Sequence, residues 1–212
     1  MIKIEHPVFP SPEQMDFIIE GMRNPKNSWD KSDSVGDCTH IDELTCNICR
    51  SNMDYKPNCV TNKFALGEND ESLMMRLAKA GTDHRKYLRM MQVGVRITAP
   101  LYFYKELDTY KVGTVCNSCS TMHKIQAKEF TLDDFSCEPL YFNPVLCNIE
   151  HTIRLLNEWR VLFNYTDEER KDYFGQNGHP RALTKKECWW QMIQLLPSSY
   201  NQTRNYTFTY EN

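Results

Sequence analysis

The chain has 212 residues, 41% hydrophobic and 25% charged, with a formal net charge of -3. That composition excludes wholesale disorder and suits one domain of ordinary size, alone or with a small added module. The acidic balance excludes a general polyanion binder, no apolar run approaches the roughly 20 residues of a membrane span, and the 8 glycines form neither GxGxxG nor GxxxxGK[ST].

Met1–Pro10 (MIKIEHPVFP) lacks the apolar stretch of a secretion signal, so the expected compartment is the cytoplasm. Ser11–Met22 opens as a helix: Ser11 is the N-cap, Pro12 suits the first turn, and Glu13 and Asp16 sit at the positive end of the dipole. Met15, Ile18, Ile19 and Met22 recur at helical spacing and form its core stripe. Asn24–Asp37 is polar and rich in turn formers, which predicts a loop.

A second helical stretch is predicted over Glu71–Met91, with Leu73, Met74, Leu77, Leu88 and Met91 apolar and Gly81 as a break or kink. Gln92–Ala99 alternates Val93, Val95 and Ile97 with polar or small neighbours, a strand pattern. Pro100 ends it and opens a helix over Leu101–Thr109. Val112–His123, rich in small polar residues, reads as a loop.

Cys147–Phe163 is a strong helix, with Ile149, Ile153, Leu156, Trp159, Val161 and Leu162 expected on one side. Tyr165–Pro180, charged and holding Gly175 and Gly178, reads as a connection. Thr184–Leu196 is the last predicted helix, stopped by Pro197, and Tyr206–Tyr210 alternates as a strand.

Cysteine is the unusual component, at 9 residues. Without a secretion signal, free thiols or metal ligands are expected rather than a disulfide framework. For the same reason the N-x-[ST] sequons at Asn164, Asn201 and Asn205 are read as chance. Cys38, Cys46, Cys49 and Cys59 form Cys-x7-Cys-x2-Cys-x9-Cys. Two thiolates spaced by two residues on a turn can face one ion, and two more complete a tetrahedral zinc site. His40 is a spare ligand candidate, and an iron–sulfur cluster would use the same four thiolates. The segment is poor in large apolar residues, so folding by itself would need a metal or clamp. Cys116 and Cys119 make another CxxC; with Cys137 and Cys147 they suggest a second site, against the plainer reading of small buried hydrophobes.

The densest polar constellation lies between Gly81 and His123. Arg85, Lys86, Arg89, Arg96, Lys105 and Lys111 supply positive charge, while Asn117, Ser118, Ser120 and Thr121 supply groups suited to phosphate or ribose. A solvated charged helix followed by an ordinary turn would have the same composition.

The order of these features resembles the flavin-dependent thymidylate synthases. In that family a His-bearing helix leads through a strand and a Pro to a helix with Gln and Arg-His-Arg, then to a loop of pattern Asn-Glu-x-Ser-x-Arg-Tyr. Here His84 stands at the His, Ala99-Pro100 at the Pro, and Glu106 at the Gln. Thr109, Tyr110 and Lys111 stand at Arg-His-Arg; Asn117, Ser118, Ser120, Met122 and His123 overlay the loop. Leu195, Leu196 and Pro197 resemble the end of a family helix, and the strand near Tyr206 resembles the one leading to a final nucleotide-binding Arg. The Lys at 111 keeps the charge of an Arg without its bidentate fork.

The resemblance implies an α+β fold, a small β-sheet packed with long helices and carrying a Cys-rich insertion. The implied divisions are an N-terminal helix and loop over 1–35, the insertion over 36–64, and a core over 65–212. It further implies FAD as cofactor and methylation of deoxyuridylate with methylenetetrahydrofolate and reduced flavin, in a homo-oligomer, a tetramer in the family, whose sites lie between subunits. His84 and Lys111 would hold flavin, Asn117 would border it, and Ser118 and Ser120 would bind the nucleotide phosphate. The alternative is a non-catalytic nucleotide-sensing or interaction protein on the same fold, with a structural zinc site. Neither reading involves nucleic acid or a membrane.

Overall fold

A computed structural model describes residues 2–35 and 64–212. It is mixed helix and sheet, as expected, with one four-stranded antiparallel sheet in the order β1-β2-β4-β3. The strands are β1 (Lys3–Val8), β2 (Gln92–Pro100), β3 (Val115–Ser118) and β4 (Asn201–Thr209). The helices are α1 (Pro12–Arg23), α2 (Glu68–Lys79), α3 (Leu101–Leu107), α4 (Asn143–Asn164), α5 (Asp167–Gln176) and α6 (Lys185–Leu195). None of the described helices is long and apolar enough to cross a membrane.

The described chain forms two compact units. The first holds Met1–Glu5, Arg96–Lys111 and Cys116–Tyr206; the second holds His6–Val95, Val112–Val115 and Thr207–Asn212.

In the second unit, Ser11 caps α1 as expected, with Gln14 answering back in a capping box. Ile18, Ile19 and Met22 bury against Leu73, Met74, Tyr87 and Met91. The single stretch expected over Glu71–Met91 is two pieces. The helix stops at Lys79, and Gly81, at φ +110, turns the chain as an L side chain rarely does, before a 3-10 turn at Lys86–Arg89. The loop expected over Asn24–Asp37 contains 3-10 turns at Asn24–Lys26 and Trp29–Lys31.

In the first unit, α4 packs along α6, and Leu156 and Met192 bury with Ile125, Phe130 and Phe135. Helix α4 begins at Asn143, earlier than the predicted Cys147, because Pro144 suits a first turn and leaves no helical hydrogen bond unmade. Val161 is 40% exposed rather than part of the stripe, because it lies five residues from Leu156, well off that face.

Three elements correct the sequence reading. Helix α5 occupies the predicted connection: Thr166 and Glu169 make a capping box, but only Arg170 and Phe174 are buried, so apolar periodicity is absent. Strands β1 and β3 are the sheet edges, and all four β3 residues are exposed. With no buried face there is no alternation to read.

Candidate functional site

The site is built on β4 and the helix beside it in the first unit. Gln202, Arg204 and Tyr206 are two residues apart on one strand and therefore share a face. Tyr104 of α3 stacks on Tyr206 with ring centroids 6.0 Å apart, and its hydroxyl donates to the Ile97 and Gln202 carbonyls at 2.8 Å each. The Arg204 guanidinium lies 3.9 Å from the Tyr104 ring centroid.

Asp108, the C-cap of α3, completes the cluster. Arg204 donates to its two carboxylate oxygens at 3.2 and 2.9 Å, and the Tyr206 hydroxyl donates at 2.6 Å. Arg204 also donates to the Tyr206 oxygen at 3.0 Å and to Gln202 Oε1 at 2.8 Å. Burial pushes the Asp108 carboxyl up, but hydrogen bonds from Tyr206 and Arg204 and the charges of Arg204 and Lys111 outweigh it and hold it below the ordinary value. Burial pushes the Tyr104 hydroxyl up to about 12 and pushes Tyr206 up as well, helped by its bond to Asp108.

Lys111, Asn117, Ser118 and Ser120, expected to contact cofactor or nucleotide, lie in the same unit as this cluster. Lys111 follows α3 and is close enough to act on Asp108 through its charge. Asn117 and Ser118 end the exposed edge strand β3. Ser120 lies in the next turn, where its Oγ accepts the His123 N–H at 2.9 Å. His84 belongs to the second unit, exposed after Gly81, with its backbone N–H bonded to the Gly81 carbonyl at 3.1 Å. There Arg85 and Arg89 flank it and both bind Glu211.

At the position matched to Arg-His-Arg, Thr109 caps α3 by donating to the Glu106 carbonyl at 2.7 Å, and Tyr110 is half exposed. Asp108, Gln202, Arg204 and Tyr206 were not singled out as site residues. For Gln202, Arg204 and Tyr206 the signal is a period-2 spacing in Asn201–Thr209, which a strand begun at Tyr206 does not show; Asp108 carries no such local signal.

Cys38, Cys46, Cys49 and Cys59 lie outside the described residues. Among the described residues no group of three or more His, Cys, Asp or Glu side chains could hold a metal. Cys116, Cys119, Cys137 and Cys147 are thus not gathered into the second site that their spacing suggested.

No protein-family model matches the chain, and no curated protein matches it in sequence. Solved structures match its fold. Thymidylate synthase X from Helicobacter pylori, solved with FAD and dUMP, is 14% identical over 99% of this chain and 78% of its own, with a TM-score of 0.50. A second structure of that enzyme, the flavin-dependent thymidylate synthase with FAD and dUMP, is 12% identical over 98% and 78%, with a TM-score of 0.51. The UMP/dUMP methylase PolB from Streptomyces cacaoi, bound with 5-Br dUMP, is 10% identical over 99% and 72%, with a TM-score of 0.47. The relationship to thymidylate synthase X is one of fold.

Proposed function

We propose that the chain is a diverged relative of the flavin-dependent thymidylate synthases. In this reading it binds FAD and a deoxyuridylate-like nucleotide, and methylates that nucleotide with methylenetetrahydrofolate. The observation that supports this is the grouping of Lys111, Asn117, Ser118 and Ser120 beside β4, in a fold matched over nearly the whole chain by an enzyme solved with FAD and dUMP. The donor set fits phosphate-bearing ligands: an exposed ammonium, two hydroxyls and an amide. Lys111 would hold the flavin, Asn117 would border it, and Ser118 and Ser120 would bind the nucleotide phosphate. Bound reduced flavin would supply the hydride, and the chain's residues would bind, orient and neutralise charge.

The test is an FAD titration followed by absorbance, with dUMP binding measured on the same sample. Uptake of both supports the reading; a colourless protein that takes up neither overturns it. Release of tritium from the pyrimidine C5 of dUMP reports the methylation step. The role of His84 toward flavin is tested separately by His84→Ala, which is expected to weaken FAD uptake. Assembly as a homo-oligomer belongs to the same reading and is read by sedimentation.

A specific observation favours a second reading, a non-catalytic nucleotide-sensing or interaction protein. Arg204 already donates to Asp108, Tyr206 and Gln202, so its fork is engaged within the chain. Glu106 and Met122 stand where the family has Gln and Arg. Binding of dUMP without tritium release supports this reading; turnover excludes it. A structural metal on Cys38, Cys46, Cys49 and Cys59 is read by metal analysis of the intact protein and of a Cys46→Ser/Cys49→Ser variant.

A further inference from the structure

The turn that carries Ser120 is tied at two points by side chains without an assigned role. Gln202, 5% exposed, donates from Nε2 to the Cys119 carbonyl at 2.7 Å. Trp189, on α6, donates from Nε1 to the Met122 carbonyl at 2.7 Å. Between them, the Cys119 N–H bonds the Thr203 carbonyl at 3.0 Å, and Ser120 Oγ accepts from His123.

The Gln202 bond has a direction imposed from behind. A guanidinium only donates, so Arg204 Nε, 2.8 Å away, must face the amide oxygen. That leaves the amide NH2 to face Cys119. Arg204 is itself oriented by Asp108 and Tyr206. The donors therefore run outward from Arg204, to Asp108 on one side and through Gln202 to the turn on the other.

We infer that Gln202, set by Arg204, and Trp189 are positioning residues that hold Cys119–His123 so that Ser118 and Ser120 can meet a phosphate. The inference rests on the nucleotide reading above. It makes Arg204 the support of the phosphate-binding turn, one residue removed from it.

The test uses the full chain and Gln202→Glu, which is nearly isosteric. The carboxylate keeps an acceptor for Arg204 but turns a second acceptor toward the Cys119 carbonyl. Hydrogen exchange of the ligand-free protein is read at residues 119–123, and affinity is measured for dUMP and for deoxyuridine. Loss of one hydrogen bond predicts about tenfold faster exchange there and about tenfold weaker dUMP binding. Deoxyuridine binding is expected to stay within twofold of the parent while the melting temperature falls by about 3–6 °C with the fold retained. Trp189→Phe, at the other tie, is expected to act in the same direction. The phosphate-dependent split is a readout that mere loss of fold would not give.

Unchanged exchange in both variants overturns the inference, as does equal weakening of dUMP and deoxyuridine. Faster exchange in a protein whose parent binds no dUMP overturns the nucleotide reading, and with it the positioning role, while still reporting the tie. The two failures are thus distinguishable.

Discussion

Asp70 and Asp108 each face an arginine, one in each unit, and the surroundings give the two pairs different work. The Asp70 side chain is 0% exposed and its partner Arg23 is 4% exposed. Arg23 Nε donates to Asp70 at 2.5 Å; the Ser32 and Ser34 hydroxyls and the Asp33 and Ser34 backbone N–H groups donate at 2.8, 2.7, 3.1 and 3.0 Å. The rest of the Arg23 guanidinium binds the Ser28 and Lys31 carbonyls. Every group is engaged inside the protein, so the cluster is a clamp. Asp108, by contrast, is 49% exposed while Arg204 is 15% exposed. Its pair has one side in water and is continuous, through Gln202, with a polar rim. A sealed charge pair specifies a fold; a half-open one can support a site whose ligand comes and goes.

The clamp also joins the chain on either side of residues 36–63. Val35 and Ala65 pair by two backbone bonds, and the Asp33 carboxylate caps α2 by accepting the Asn69 and Asp70 N–H groups. Gly67 is needed there because a Cβ would run into Asp33.

The largest expected effect is at the clamp. Asp70→Ala leaves Arg23 buried without its counter-charge and is expected to cost about 3–5 kcal/mol in urea unfolding. A loss below about 1 kcal/mol would erase the contrast with Asp108.

The clamp should next show itself as pH falls. Burial alone would push the Asp70 carboxyl up, but hydrogen bonds from Ser34, Ser32, Arg23 and the Asp33 N–H outweigh it and hold it at about 2. The folded value lies below the unfolded one. The stabilisation is therefore complete above the unfolded value of about 4 and is lost as pH falls through about 2. Unfolding followed between pH 6 and 2 is expected to lose about 2 kcal/mol through this group, a loss absent in Asp70→Asn.

Arg204→Leu is expected to cost less, about 1–2 kcal/mol, because the half-exposed Asp108 can turn to water and the pair is partly screened. Tyr206→Phe removes one hydroxyl bond to Asp108 and is expected to cost about 1 kcal/mol, measured by the same unfolding. The smallest effect is expected from replacing residues 37–63 with a short Gly-Ser turn. Because Val35 and Ala65 already meet, stability should change by no more than about 1 kcal/mol. A larger loss would tie that segment to the clamp's own stability.

How much was legible depended on how each element is buried. Helix α1 showed an N-cap, an N1 proline and an apolar stripe, and it folds as read. Helix α6, opened by Thr184 with Glu187, was equally plain. Helix α5 carried the same capping signal, yet its core side offers little beyond Phe174, so periodicity said nothing. Of the site, Lys111, Asn117, Ser118 and Ser120 were named from a resemblance in order and spacing, and they fall in the unit that holds Asp108 and Arg204. Asp108 and Arg204 are 96 residues apart, and no local pattern couples them.

By itself the sequence determined the helix starts, the apolar stripes, the central strand β2 and an α+β class, because capping and periodicity act over a few residues. Only the tertiary structure decided the edge strands β1 and β3, the surroundings of Arg204, and which aspartate became a clamp. Those outcomes depend on which distant donors reach a group and how much water remains beside it. Asp70 met five donors and no water; Asp108 met an arginine, a tyrosine and an open side.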